Sequence, residues 1–170
     1  MPVTRLNHAV LYVRDVEVTK EFYEGALDFQ PVIWMPERGV FLRAPASTND
    51  HDLAAFQIGS DAGPSTAGRA TVGLYHLAWE VDTLSELERL AATLSEHGAL
   101  SGASDHGTTK ALYAHDPDGL EFEVSWLVPA DLIDDEAIAA RARIGPLDIE
   151  AEKRRYGAET RGGVGVSVSA

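Results

Sequence analysis

The sequence LNHAVLYVRDVEVTKEFYEGAL, residues 6–27, is followed later in the chain by a similar segment, LYHLAWEVDTLSELERLAATLSEHGAL, residues 74–100. Each segment opens with a leucine, one further residue and a histidine, has a valine five positions after the histidine, and ends in Gly-Ala-Leu. His8 and His76 therefore occupy the same place in the two copies, 68 residues apart. Similarity of this kind indicates one supersecondary unit that is built twice.

Capping residues predict where the helix of each copy begins and ends. Asp15 is a candidate N-cap of the first helix, and Thr83 with Glu86 fits a capping box for the second. Gly25 and Gly98 are predicted to end the two helices. Because each copy opens with a strand-like run and short strand-like runs follow each helix, the sequence predicts strand–helix–strands, twice.

The composition limits the kinds of partner and site. With 170 residues, 45% of them hydrophobic, the chain can bury a core. The net charge of −13 argues against nucleic acid and anionic membrane surfaces, because both attract Lys and Arg. The absence of cysteine excludes disulfides, zinc ribbons and thiolate nucleophiles, so a metal site must use His, Asp and Glu. Without a signal-peptide pattern or a long apolar run, we expect a cytoplasmic protein.

The two repeated histidines predict a metal site. Side chains alternate between the faces of a strand, so His8 and His76 lie on corresponding faces of the first strands. If the copies pack about a pseudo-twofold axis, the two imidazoles can approach each other and be joined by a carboxylate. Two nitrogens and one oxygen suit divalent Fe, Mn, Zn or Ni. An isolated histidine is more often a packing residue, but the shared repeat position favours the metal site.

The stretch HDPDGLEFEV, residues 115–124, offers two carboxylates for that site. A turn sequence, Asp-Pro-Asp-Gly, leads into a strand-like alternation. Glu121 and Glu123 are two residues apart and share one face of this strand. Alternation alone therefore leaves the choice between them open.

The doubled pattern, with DPDG entering the last strand, resembles the vicinal oxygen chelate superfamily of glyoxalases, bleomycin-resistance proteins and extradiol dioxygenases. The resemblance covers roughly residues 4–127. It implies an α+β fold in which two βαβββ modules, related by a pseudo-twofold axis, form curved mixed sheets around a metal site. We expect one domain over 1–128, with module one at 4–59, a linker at 60–70 and module two at 71–128, followed by a helical C-terminal extension and flexible tail at 129–170.

The resemblance also implies the metal ligands. The spacing of the family places the metal carboxylate four residues after the turn glycine, which selects Glu123 and leaves Glu121 as the second candidate. Extradiol dioxygenases use a His, His and Glu set, which His8, His76 and Glu123 match. Glyoxalase-type isomerases add a fourth ligand from the last strand of the first module, for which Gln57 is the candidate.

Further residues match the extradiol pattern. By resemblance, His51 is the acid–base catalyst, Tyr113 hydrogen-bonds the bound catecholate, and His106 lines the substrate pocket. The implied function is cleavage of a catechol-like aromatic substrate by O2, with Fe(II) as the expected metal and Mn(II), Zn(II) or Ni(II) as alternatives. A glyoxalase-like isomerase or lyase and a small-molecule binding or resistance protein are the alternative functions. We expect a homo-oligomer.

Overall fold

The computed structural model describes residues 2–3, 5–68 and 70–163. Residues 164–170, most of the predicted flexible tail, lie outside the described residues. The chain divides into two units, one formed by Met1–Ser65 with Asp116–Gly119 and the other by Thr66–His115 with Leu120–Ala170. None of the helices in the described ranges combines the length and the apolar character needed to cross a membrane.

The first unit contains one helix and four strands: β1 (Ala9–Val13), α1 (Val16–Leu27), β2 (Gln30–Met35), β3 (Gly39–Arg43) and β4 (Leu53–Gln57). The strand order is β1-β4-β3-β2, in which β1 and β4 are parallel and the other neighbours are antiparallel. The helix α1 contacts β2, β3 and β4. This unit is the first predicted βαβββ module.

The two faces of β1 differ in burial. Leu11 and Val13 are buried, at 7% and 1% exposure, on the core face of the strand. His8, Val10 and Tyr12 alternate onto the opposite face, where Val10 is 54% exposed and Tyr12 73% exposed. The core face is therefore separated from the face that carries the repeated histidine.

The second unit repeats the arrangement with β5 (Leu77–Glu80), α2 (Leu84–Glu96), β6 (Leu100–Asp105), β7 (Thr109–His115) and β8 (Glu121–Leu127). The strand order β5-β8-β7-β6 matches that of the first unit, and β5 and β8 are again parallel. The α+β class and the doubled module are thus confirmed. The side of α2 that is buried carries four leucines: Leu84, Leu87, Leu90 and Leu94.

The predicted helical extension is present and belongs to the second unit. It contains a short 3₁₀ helix (Ala130–Leu132), α3 (Asp135–Ala140) and α4 (Ile149–Tyr156). The ring centroids of Tyr156 and Trp126, on α4 and β8, lie 5.6 Å apart. The extension is therefore packed on the module rather than separate from it.

The capping predictions are confirmed at three helix ends and wrong at one. Asp15 accepts hydrogen bonds from the first turn of α1, Thr83 accepts from the backbone of α2, and Gly98 follows α2 with a φ of 66°. Gly25 does not end α1, which continues to Leu27 and is capped by Asp28 at a φ of 58°. The additional residues of α1 are buried, and an aspartate tolerates the left-handed conformation better than most residues.

Candidate metal centre

The register of β5 and β8 places the second repeated histidine beside two carboxylates. Leu77 pairs with Phe122 and Ala78 with Glu123, so His76 lies next to Glu121 at the start of the ladder. Because side chains alternate, His76 and both glutamates share one face, whereas Phe122 is buried on the other. This face is the polar face of the second unit.

Each nitrogen of the His76 imidazole faces a different carboxylate. Its Nε2 lies 3.4 Å from Glu123 Oε2, and its Nδ1 lies 3.6 Å from Glu121 Oε1. The three side chains are between 13% and 25% exposed. The two ring nitrogens point in different directions, and a neutral imidazole binds a metal through only one of them, so a metal ion bound to His76 lies on the side of one carboxylate.

Glu123 is also the carboxylate that contacts the predicted substrate tyrosine. Tyr113 on β7 lies directly opposite Glu123 in the ladder. Burial, and next the negative charge of Glu123, raise the pKa of Tyr113 to about 12. His106 Nε2 lies 3.0 Å from the hydroxyl oxygen of Tyr113. Tyr113 is thus the ladder partner of Glu123 and the hydrogen-bond partner of His106.

Ser125 is a further polar residue beside Glu123, and it was not predicted from the sequence. Ser125 hydrogen-bonds through its hydroxyl to Glu123 Oε1 and is 6% exposed. It lies two positions after Glu123, so it shares the polar face by simple alternation. A search for polar residues at this spacing would have found it.

In the first unit, the predicted ligand and the predicted base lie together. The ring centroids of His8 and His51 are 4.6 Å apart, and the ring of Phe41 packs edge-on against His51 at 5.0 Å. His51 Nδ1 lies 3.0 Å from Asp50 Oδ2. The structure thus brings together the two residues that the sequence predicted for this module.

A hydrogen-bond network that the sequence did not predict joins the segment before His8 to the loop before His51. The side-chain amide of Asn49 donates to the Asn7 carbonyl at 3.0 Å and to Asp52 Oδ1 at 2.6 Å. No periodic pattern marks such a loop contact. Its partners are 42 residues apart in sequence, so only the folded chain identifies it.

The candidate fourth ligand, Gln57, lies on the opposite face from His8. Leu53, which pairs with Ala9, is buried on the core face, and Gln57 alternates onto the same face. Its Oε1 accepts a hydrogen bond at 3.1 Å from the backbone N–H of Val16, the first residue of α1. The side chain is therefore turned toward the helix.

The two ladders identify the residue of the first unit that corresponds to Glu123. The residue after His8 pairs with Leu53, and the residue after His76 pairs with Phe122. One position further, Glu123 corresponds to Ala54, which is fully buried. Because alanine has no side-chain donor atom, this position of the first unit supplies no ligand.

The turn that precedes Glu121 and Glu123 is held within the first unit. Arg14 Nη1 lies 2.7 Å from Asp118 Oδ1, and the Arg14 backbone N–H donates to Asp118 Oδ2 at 3.1 Å. Gly119 has a φ of 82°, which favours glycine in this turn. The turn glycine, from which the family counts to the metal carboxylate, therefore lies in a turn that Arg14 holds in place.

His76 and Glu123 fit two positions of a divalent metal site. Two adjacent ligands about 2.1 Å from a metal lie about 3 Å apart, close to the separation of these two groups. Among residues 2–3, 5–68 and 70–163, no group of three or more His, Asp or Glu side chains is spaced to hold an ion. His8, the third predicted ligand, belongs to the first unit. The complete triad remains a prediction.

Comparisons with known proteins agree with this architecture. The sequence profile of the Glyoxalase/Bleomycin resistance protein/Dioxygenase superfamily matches residues 5–124. A catechol-2,3-dioxygenase of Bacillus subtilis is 32% identical over 124 residues, which are 71% of this chain. The chain spans only 41% of the length of that relative.

Solved structures of the same superfamily share the fold. The glyoxylase/bleomycin resistance protein/dioxygenase domain of Frankia sp. EAN1pec has a TM-score of 0.61 at 19% identity, covering 73% of this chain and 92% of that one. Lactoylglutathione lyase of Agrobacterium tumefaciens has a TM-score of 0.56 at 19% identity, covering 74% and 95%. The repeated module and the matched profile lead to one conclusion: the chain belongs to the Glyoxalase/Bleomycin resistance protein/Dioxygenase superfamily.

Proposed function

We propose that this protein is a metal-dependent extradiol-type dioxygenase that cleaves a catechol-like aromatic ring with O2, with His8, His76 and Glu123 as metal ligands. One observation carries the proposal: Glu123 faces His76 Nε2 at 3.4 Å, and Tyr113 lies directly opposite Glu123 in the ladder of β7 and β8. The extradiol enzymes that the chain resembles place a substrate-binding tyrosine at this spacing. The sequence similarity to a catechol-2,3-dioxygenase supports the same reaction class.

Fe(II) is the proposed metal, and Mn(II), Zn(II) and Ni(II) suit the same imidazole and carboxylate donors. When bound, the metal would bring the aromatic substrate and O2 together and pass electron density between them. The protein must then orient the substrate and provide a site for its hydroxyl proton. Two groups of residues are available for these tasks.

His51 is the proposed proton acceptor. Asp50 Oδ2 accepts a hydrogen bond from His51 Nδ1–H at 3.0 Å, which leaves Nε2 unprotonated in the neutral ring. An unprotonated imidazole nitrogen can take the proton of a substrate hydroxyl and return it later in the reaction. The side chain of His51 is 16% exposed, so its ring is largely shielded from solvent.

Tyr113 and His106 are the proposed substrate-orienting pair. The raised pKa of Tyr113, about 12, keeps the phenol protonated at neutral pH. Its hydroxyl therefore remains a hydrogen-bond donor. A catecholate oxygen can accept this hydrogen bond in competition with the carboxylate of Glu123. His106 Nε2 lies within hydrogen-bond distance of the same phenol oxygen, at 3.0 Å, and so restricts the orientation of the hydroxyl.

The glyoxalase-like alternative is less well supported by the first unit. The resemblance gives those isomerases a fourth ligand from the last strand of module one. In this chain, Ala54 stands at the position that corresponds to Glu123, and Gln57 is engaged by Val16 on the core face. A three-ligand set is the one used by extradiol enzymes.

The proposal is tested by reconstituting the metal-free protein with Fe(II) under anaerobic conditions. A panel of substituted catechols is then added, followed by O2, and oxygen uptake is measured together with the absorbance of the yellow ring-fission product. We expect uptake with at least one catechol. Isomerisation of a thiohemiacetal without any oxygen uptake would instead identify an isomerase, and tight catechol binding without turnover would identify a binding protein.

Two variants connect the activity to the proposed roles. His51→Ala is expected to lower turnover by about 10²- to 10⁴-fold, the usual contribution of a general acid–base, while Fe(II) occupancy stays near that of the parent protein. Glu123→Ala is expected to lose both the metal and the activity. Retention of full Fe(II) occupancy by Glu123→Ala would remove Glu123 from the ligand set.

A further inference from the structure

Two buried polar atoms on the polar face of the second unit face each other without completing a hydrogen bond. His76 Nδ1 and Glu121 Oε1 are both buried, and neither has a hydrogen-bond partner among the residues that the structure describes. Their separation of 3.6 Å exceeds the upper limit of a normal N–H···O bond by only about 0.4 Å. A small side-chain movement would therefore complete a hydrogen bond between them.

The other polar contacts of the two side chains are with His115 and Glu123. Glu121 Oε2 lies 3.8 Å from Nε2 of His115, whose side chain is 45% exposed and can be hydrated instead. His76 Nε2 is directed toward Glu123 at 3.4 Å. The Nδ1 side of the His76 ring is therefore available to Glu121, and the Nε2 side to the candidate metal.

A neutral imidazole carries its proton on one nitrogen, and only the other nitrogen can bind a metal. A carboxylate beside Nδ1 stabilises the tautomer that has its proton there, and the lone pair of Nε2 is then free. Metal-bound histidines commonly donate their second N–H to a carboxylate or carbonyl oxygen, which fixes the ring orientation. Glu121 is placed to do this for His76.

The first unit has the same arrangement with a different residue. His8 Nδ1 lies 2.7 Å from the side-chain oxygen of Asn7, the residue directly before it. In both copies of the repeat, a side-chain oxygen therefore faces Nδ1 of the histidine. The two oxygen atoms come from unrelated positions, since Asn7 precedes its histidine and Glu121 lies on another strand.

We propose that Glu121 is a positioning residue that holds His76 with its proton on Nδ1 and its Nε2 lone pair directed to the metal, and that Asn7 does the same for His8. The inference deepens the proposed function, because it assumes that the two histidines are metal ligands. It also assigns Glu121 a role other than ligation. The Asn7 contact is more exposed to solvent, so its effect is expected to be the smaller one.

The tautomers are measured on metal-free protein that carries Glu123→Leu, so that the Glu123 carboxylate, 3.4 Å from His76 Nε2, does not compete with Glu121 for the ring proton. Long-range ¹H–¹⁵N correlation spectra of ¹⁵N-labelled protein, recorded at about pH 8.5 so that an ordinary imidazole is neutral, identify the protonated nitrogen of each histidine. His76→Gln and His8→Gln assign the two sets of signals among the six histidines. We expect Nδ1–H and an unprotonated Nε2 for both rings. A proton on Nε2 of His76 would overturn the proposal.

Matched variants test whether the acceptor oxygen, and not the size of the side chain, sets the tautomer. Glu121→Gln keeps a carbonyl oxygen at this position and should keep the Nδ1–H form. Glu121→Leu has a similar size but no acceptor, and it should move His76 toward the Nε2–H form that free histidine favours. Asn7→Asp and Asn7→Leu form the same pair for His8. An unchanged tautomer in a folded Glu121→Leu protein, with folding checked by circular dichroism, would contradict the assigned role.

Metal affinity provides a second readout that does not depend on catalysis. In competition with a chelator for Zn(II), Glu121→Leu is expected to bind about 10- to 100-fold more weakly than the parent, the usual effect of losing such a partner. Glu121→Gln is expected to stay within a few fold. Equal losses in the Gln and Leu variants would show that Glu121 is itself a ligand and would overturn the positioning role.

The two proposals can fail separately. The spectra are recorded without metal or catechol, so a protein that never consumes oxygen can still show the predicted tautomers. Conversely, an active dioxygenase whose His76 carries its proton on Nε2 in the metal-free state would retain the proposed function and lose this inference.

Discussion

Tyr113 is the residue for which the structure gives the most specific chemical state. Its pKa is raised to about 12 by burial and by the charge of Glu123, so the neutral phenol is the stable form. A raised pKa of this kind favours the folded protein below the ordinary value of 10. That contribution is lost as the pH rises from about 10 through about 12. Below that window Tyr113 remains a donor.

Tyr113→Phe is therefore expected to lower kcat/KM for the best catechol by about 10- to 100-fold, the effect of removing one hydrogen bond to a charged oxygen. Because Tyr113 does not titrate in the working range, the shape of the pH profile should stay the same. The measurement is steady-state oxygen uptake between pH 6 and about 9.5. This range ends below the ordinary pKa of tyrosine. If kcat/KM of the parent protein fell at the alkaline end of this range and that of Tyr113→Phe did not, Tyr113 would be ionising during catalysis.

At the residue scale, the sequence predicted which side chains come together more reliably than which atoms meet. The sequence predicted that a carboxylate of the HDPDGLEFEV strand joins the repeated histidines, and the register of β5 and β8 places His76 beside that strand. The choice between Glu121 and Glu123 does not follow from alternation, because both lie on the same face. The distinction depends on which ring nitrogen each carboxylate faces, and that is set by side-chain conformation.

Helix ends show the same limit at the scale of the element. Asp15 and Thr83 were predicted as N-caps because their side chains can satisfy free backbone N–H groups, a local effect that the chain carries in its sequence. The prediction at Gly25 was wrong because the two residues after it, Ala26 and Leu27, are buried in the first unit. Tertiary burial extended the helix beyond the residue that local preference favoured.

The C-terminal segment is an element whose path depends on a glycine. The Gly162 N–H donates to the Asp82 carbonyl at 2.8 Å. A Cβ atom at this position would lie 2.3 Å from the Leu127 carbonyl oxygen and 2.6 Å from Trp126 Nε1. These contacts are too short for any side chain, and the nearest atom belongs to the backbone. Only a glycine lets the segment run this close to β8.

Gly162→Ala is expected to lower the free energy of unfolding by about 1–3 kcal/mol, the usual cost of overpacking, and to change the fluorescence of Trp126. Gly63→Ala is the matched control, because a Cβ there meets nothing within 4 Å. Urea denaturation followed by tryptophan fluorescence measures both variants. Equal stability of the two would show that the segment can move away from β8 without loss.

At the scale of the whole molecule, the repeat predicted the architecture of both modules but not how the extension is attached to the second one. Lys110 on β7 lies in the run TKALYAHD, which resembles an ordinary strand with solvated polar positions. In the structure it is 1% exposed and its Nζ lies 2.6 Å from Asp105 Oδ1 and 2.9 Å from Glu152 Oε2. Glu152 follows Lys110 by 42 residues, so no local pattern indicates the burial.

The position of Lys110 separates stability from chemistry in the second unit. Lys110 and Tyr113 are three residues apart on β7, so their side chains lie on opposite faces of the sheet. The ammonium group also lies 5.7 Å from the ring centroid of Tyr156 on α4. The buried pair therefore attaches α4 to the sheet on the face away from Glu123.

Lys110→Met is expected to destabilise the protein by about 2–4 kcal/mol, because removing one partner of a buried ion pair leaves Asp105 and Glu152 uncompensated. Lys153→Met is the matched control: Lys153 also contacts two carboxylates, but Glu150 is 61% exposed and Glu88 is 47% exposed, so a clearly smaller loss is expected than for Lys110→Met. Urea denaturation measures both losses, and Zn(II) affinity should stay near the parent value in each variant. Equal losses of stability in the two variants would show that the burial of Lys110 does not attach the extension. A loss of Zn(II) affinity in Lys110→Met would show that a change on one face of the sheet affects the metal site on the other.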